Sequence, residues 1–237
     1  MVMTPPPSTS TPTAPTLDAI ERTTLNDMAY ERLKQALLTG RIETGMILTF
    51  RQLAQDLGTS MMPVREAVAR LVAERALEVL PQRGIRVPRL SVEELEDLWN
   101  LRKQLESEGA ARAALRATPS DIEKISTLRD RIRDSAEAGD LYDFLADNSA
   151  FQIAICQAAQ TRVFITLVEM LRAQASPHRN DAVRALLAER PPYYHQMFRN
   201  HEALVDAIAR HDEHAAREIR GRDIQEFRAF SEQLARR

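Results

Sequence analysis

The stretch 50–72, "FRQLAQDLGTSMMPVREAVARLV", decides the fold of the chain's first third. Phe50, Leu53, Ala54 and Leu57 recur at helical spacing, and Gly58 closes that run. Ser60 then stands at an N-cap position with Pro63 inside the next first turn. Val64, Ala67, Val68 and Leu71 form the apolar stripe of a second helix, which leaves Arg65 facing outward. Only Gly58-Thr59 separates the two helices. Glycine relieves left-handed strain in so short a turn, and small residues let the helices approach.

Working outward, Leu25, Met28, Ala29, Leu33, Ala36 and Leu37 predict a helix that starts near Thr24 and ends at Gly40. "RIETGMIL" (41–48) reads as an extended or turning connection. Residues 77–80 and 85–87 are short strand-like runs around Pro81-Gln82-Arg83-Gly84, a hairpin signal. Helix, short helix, tight turn, helix and hairpin make the winged helix-turn-helix plan, expected over residues 23–89. In that plan the third helix lies in a DNA major groove and its first residues reach base edges. Those residues are Ser60, Met61, Met62 and Arg65. Arg51 suits a backbone phosphate, and Arg83 with Gly84 would let the hairpin tip approach the minor groove or the phosphates. Each has a plainer reading: a lone helical arginine is more often a solvated charge, the methionines could pack against the cap, and Gly84 serves a turn first.

After Pro88 the sequence reads as helical to its end. "SVEE" at 91–94 is a capping box whose helix should run to about residue 117, and "TPSD" at 118–121 starts the next. Gly139 separates that helix from the one holding "NSAFQIAICQAA" (148–159). Thr161 should cap a helix to about residue 173, with Pro177 interrupting, and further helices are expected over 180–189, 193–211 and 213–234. Six or seven helices without strands predict an antiparallel all-helical bundle over 90–237, so the fold class is mainly α.

Composition narrows the function classes. Residues 22–89 hold 11 Lys/Arg against 7 Asp/Glu, while residues 90–237 hold 21 against 25. A basic end on an acidic body points to nucleic acid held through that end. Residues 1–22 carry "MVMTPPPSTSTPTAPT", which is too poor in apolar groups to offset its chain entropy and is expected to be a disordered Pro/Thr-rich tail. The single cysteine, Cys156, sits in an apolar run and reads as a small buried hydrophobe. No apolar run reaches the roughly 18 residues of a membrane span, and the first residues lack the order of a secretory signal. A cytoplasmic protein with no membrane partner is expected.

The span 30–90 resembles the DNA-binding domain of the GntR family of bacterial transcription regulators, through "RQLAQDLG", "PVREAV" and the closing Arg83-Gly84, Ile85 and Val87. The helical remainder resembles the FadR-type effector domain, called FCD, through "LRKQLESEGAARAA" (101–114) with its Arg102. The resemblance implies a homodimeric repressor or activator that reads a palindromic double-stranded DNA operator and answers to a small carboxylate metabolite bound in the bundle. It departs at Met61, where many members carry Arg.

Many FCD domains are similar in holding a metal through an Asp and a His four apart on one helix and two later His. Positions i and i+4 share a helix face, so such a pair can converge on one cation. Here those positions carry Asn148 and Gln152, then His201 and Asp223. Three of the four differ from the pattern, and amides are poor metal ligands. No cofactor is therefore expected, with His201 and Asp223 the remaining metal candidates. The favoured reading is an effector pocket in which Asn148 and Gln152 offer hydrogen bonds, His201 pairs with Asp223, and Arg102 takes the effector's carboxylate. The plainer alternative is that the amides satisfy each other or a buried water. Asp147 points about 100° away around the helix and does not restore the metal set. Two other function classes stay open at this point: a metal-dependent helical enzyme using His201 and Asp223, and a dimerisation module without DNA binding.

Overall fold

The computed structural model describes residues 24–81 and 84–236, so the expected tail 1–22 and Arg83 lie outside the described residues. Helix α1 (Leu25–Leu38) opens with a capping box, Thr24 and Asp27 each accepting a hydrogen bond from the other's backbone N–H. It stops at Gly40, whose φ of +70° is left-handed. Helix α2 (Phe50–Asp56) is capped by the Thr49 hydroxyl, and α3 (Met61–Ala73) follows the Gly58-Thr59 turn. Leu33, Leu37, Val64, Leu71, Leu77 and Ile85 meet in one core, each nearly or fully excluded from solvent. Burying each such side chain stabilises the domain by about 1.5–3 kcal/mol.

The wing is larger than the sequence led one to expect. The end of the "RIETGMIL" connection pairs as strand β1 (Ile47–Thr49), giving a three-stranded antiparallel sheet with β2 (Glu78–Val79) and β3 (Gly84–Arg86) in the order β1-β3-β2. Leu48 lies opposite Ile85, both buried, and that pair sets the register. A three-residue strand with one inward side chain carries too little alternation to be read locally.

The rest of the described chain is helical: α4 (Val92–Arg116), α5 (Pro119–Ala138), α6 (Leu141–Ala158), α7 (Arg162–Ala175), a 3-10 turn (Ser176–Arg179), α8 (Asn180–Glu189), α9 (Pro192–Ala209) and α10 (Glu213–Ala235). The capping boxes Ser91/Glu94 and Thr118/Asp121 both form as expected. Short links such as Gly139-Asp140 force neighbouring helices antiparallel. Pro177 does not break the path as expected. It sits in the first turn of the 3-10 segment, where a missing N–H costs nothing, so the chain stays helical from α7 into α8.

Helix α6 runs through the middle of the bundle, packed by α4, α5, α7 and α8. Its buried residues lie on every side, Asp147, Ser149 and Gln152 among them. Asp143 and Gln157 face solvent, whereas Asp147, Ser149 and Gln152 face protein. Helix α7 also reaches the other domain: Ala173 belongs to the core beneath α1 and α3. No helix among the described residues is long and apolar enough to cross a membrane.

Candidate functional site

Two places on the molecule could act on something else, and the first is the outer face of α3. Ser60 caps this helix by position, but its hydroxyl accepts no capping hydrogen bond and stays exposed. Met61 and Met62 are 48% and 64% exposed, so neither packs against the cap. Arg65 points outward with its guanidinium 5.1 Å from the Phe50 ring, a stacking contact that limits its sweep. Arg51 is exposed at the start of α2, and neither arginine has an ion-pair partner among the described residues. By contrast Arg70, further along α3, pairs with Asp27 at 2.8 Å and stacks on Tyr30, which ties α3 to α1. Gly84 is corrected: it is not at the exposed tip but buried in β3, where an added Cβ would lie 3.2 Å from Ile47. Its smallness lets strands and Leu80 close over the sheet.

The second place is an internal cavity of about 40 Å³ between α4, α6, α9 and α10. Arg102, Asn148, Gln152, His201 and Asp223 all line it, as the sequence reading brought them together. Asn148 and Gln152 make no hydrogen bond to each other or to any described residue, so they are not a self-satisfied pair. The expected His201–Asp223 pairing does not hold. Their closest approach is 3.9 Å; burial, helped by Arg220 and only partly opposed by Asp223, pushes His201 down to about 4, and a neutral imidazole offers no charge. Asp223 instead accepts from Arg220 Nη1 at 2.5 Å.

Behind the cavity wall lies a buried cluster of charge. Glu106 Oε1 accepts from Arg102 Nε at 2.8 Å, and Oε2 accepts from Arg172 Nη1 at 3.0 Å and also from Arg220 Nη2. Burial would raise the Glu106 carboxyl, but the guanidiniums of Arg102, Arg172 and Arg220 hold it well below the usual range. Arg179, on the 3-10 turn, also lines the cavity and is 7% exposed. It makes no hydrogen bond or ion pair among the described residues and only stacks on Phe227 at 5.6 Å. Burial, with Arg102 and Arg172 nearby, pulls it well below the usual arginine range.

A divalent metal does not fit these residues. Asn148 and Gln152 are neutral amides, Asp223 is already engaged by Arg220, and the guanidiniums of Arg102, Arg179 and Arg220 share the same cavity. A divalent cation there would meet repulsion from these guanidiniums. Among the described residues no group of three His, Cys, Asp or Glu could hold a metal. Asp147 turns away as expected, pairing with Arg131 at 2.5 Å. Cys156 is buried and its thiol is pushed up to about 12, first by burial and then by Glu106, so it is inert packing. His178 lies at the contact between the domains, 3.4 Å from the Thr44 hydroxyl.

Sequence reasoning missed Glu106, Arg179 and Arg220. The spacing of Arg102 to Glu106 and of Arg220 to Asp223 was a usable signal, since residues three or four apart on a helix can pair. Arg179 left none, because what surrounds it comes from other helices.

The comparisons with known proteins agree with this architecture. The model described as bacterial regulatory proteins, gntR family, matches residues 25–87, and the one described as FCD domain matches residues 97–226. Over 185 residues the chain is 28% identical to the HTH-type transcriptional regulator McbR of Escherichia coli (strain K12), spanning 78% of this chain and 82% of that one. Over 203 residues it is 24% identical to the HTH-type transcriptional repressor RspR of the same organism, spanning 86% and 87%. The solved structure of E. coli McbR/YncC matches with a TM-score of 0.81 at 26% identity, covering 90% of this chain and 100% of that one. These relatives are named as regulators and not as enzymes, which removes the enzymatic reading. The matched winged helix removes the module without DNA binding. The chain belongs to the GntR family of bacterial regulators, as a DNA-binding transcriptional regulator with an FCD domain.

Proposed function

We propose that the protein is a homodimeric repressor whose grip on a palindromic operator changes when a small carboxylate metabolite enters the bundle cavity. In this reading Arg65, Ser60, Met61 and Met62 meet base edges, and Arg51 meets a phosphate, inside the cytoplasm. A second copy would cover Leu115, Val163 and Leu167, which α4 and α7 leave exposed. The repressor sense draws support from the printed name of RspR.

One observation carries the modulation. Arg179 lines the cavity, and the next residue, Asn180, is buried and donates from Nδ2 to the Gly40 carbonyl at 2.9 Å. Gly40 ends α1 of the DNA-binding domain. A ligand that draws on Arg179 therefore acts on the segment that holds that domain in place, and a differential contact of this kind is what modulation requires.

The test measures operator affinity by fluorescence anisotropy, on DNA selected from random sequence, with a panel of mono- and dicarboxylates. At least one acid is expected to shift the affinity about ten-fold, within the usual range of coupling. Asn180→Ala should keep binding both DNA and that acid while losing most of the shift. If no acid changes operator affinity, modulation by a carboxylate is wrong.

A further inference from the structure

We propose that the cavity is a metal-free receptor for a small dicarboxylate, held between Arg102 on α4, Arg179 on the 3-10 turn and Arg220 on α10. The inference rests on the effector reading above and adds the charge and chemistry of the ligand.

The charge balance leads to it. Four guanidiniums are buried in one cluster, Arg102, Arg172, Arg179 and Arg220, against two buried carboxylates, Glu106 and Asp223. Half-buried Glu226, held by Asn200 at 2.7 Å, narrows the excess but does not remove it. Arginine stays protonated at neutral pH, so the excess cannot be shed by losing protons. Such a cluster destabilises the fold until an anion joins it. Arg102 Nη1, Arg179 Nε and Arg220 Nε each lack a hydrogen-bond partner among the described residues. Arg220 is shared between Glu106 and Asp223, and Arg102 is bound to Glu106, so Arg179 is the least compensated.

Geometry selects the class. Three cationic side chains from three separate elements surround a cavity of about 40 Å³. One carboxylate would offset one charge of the excess. Two carboxylates on a short carbon chain would offset more of it, and Arg179, which has no acceptor among the described residues, can take one of them in bidentate fashion. The remaining lining includes Trp99, Phe144 and Phe227, which suit methylene groups better than a compact tetrahedral anion. Asn148 and Gln152 are left to accept or donate hydrogen bonds to the ligand's substituents.

The full chain, treated with EDTA and desalted, is titrated calorimetrically with malonate, succinate and glutarate. Acetate, propionate, butyrate and inorganic phosphate are the controls, and the best ligand is repeated with added zinc. One dicarboxylate is expected to bind at least ten-fold tighter than any monocarboxylate or phosphate, unchanged by EDTA or zinc. Arg179→Met should lower that affinity at least ten-fold while raising the melting temperature of the unliganded protein, because it removes a buried uncompensated charge. Equal affinity for monocarboxylates, a preference for phosphate, or a requirement for zinc would overturn the dicarboxylate receptor while leaving an acid effector in place. If none of these compounds binds, or if Arg179→Met lowers unliganded stability, the receptor is also overturned. The operator assay above then judges the effector reading separately.

Discussion

At the scale of single residues, Gly40 and His201 show how position sets chemistry. Gly40 combines a left-handed backbone with a close approach: an added Cβ would lie 2.5 Å from Asn180 Oδ1 and 2.8 Å from Leu145 Cδ1. Gly40→Ala meets both penalties and displaces the Asn180 hydrogen bond. A loss of about 2 kcal/mol is expected from urea unfolding, combining left-handed strain with a weakened buried hydrogen bond. His201 is held neutral chiefly by burial, at about 4 against an ordinary 6.5. A folded value below the unfolded one means the unfolded chain binds more protons between these two pH values. The contribution is therefore full above pH 6.5 and is lost as pH falls toward 4. Its size is on the order of 3 kcal/mol, from the linkage between protonation and folding. Urea midpoints across that window should fall steadily, and His201→Gln should flatten the slope.

Among the elements, α3 divides its work by face. Val64, Ala67, Val68 and Leu71 are buried, while Met61, Met62 and Arg65 are exposed at the end that would enter a groove. Arg65→Ala should cost about 1–3 kcal/mol of operator binding and relax base preference at one position. Arg51→Ala should weaken binding to all sequences alike and reduce the salt slope by about 1, as loss of one phosphate contact does. Anisotropy titrations at several salt concentrations separate the two. An Arg65→Ala protein with unchanged preference would remove α3 from base reading. The 3-10 turn is the other decisive element, since its last residue faces the cavity and the residue after it holds α1.

For the molecule as a whole, the two domains are held by polar contacts as well as by apolar ones. Lys34 on α1 pairs with Glu169 on α7 at 2.6 Å, with the lysine side chain only 8% exposed. Arg184 pairs with Glu43 at 2.5 Å, and Gln174 donates to the Glu74 carbonyl at 2.8 Å. Glu169→Ala would leave Lys34 buried without its partner. A loss of about 2 kcal/mol is expected, below the range for fully buried pairs because Glu169 is partly exposed. Calorimetry should show the winged-helix domain melting ahead of the bundle in this variant. A single transition unchanged from the parent would mean that the pair does not couple the domains.

The local patterns were enough to establish the helix-turn-helix, the start of α1 near Thr24, and the capped starts of α4 and α5. Each depends on residues within one turn or one short motif, where spacing alone dictates who faces whom. Pairing of β1 with β3, and the smooth passage through Pro177, depended on partners far along the chain. So did the character of the cavity. Asn148, Gln152 and His201 could be placed there from sequence, but the excess of buried guanidinium could not be seen. Arg102, Arg172, Arg179 and Arg220 come from four different elements, and only packing brings like charges together around Glu106. The sequence by itself determined a DNA-binding fold joined to a helical bundle. The tertiary structure decided the charge around the cavity, because electrostatics acts through space and not along the chain.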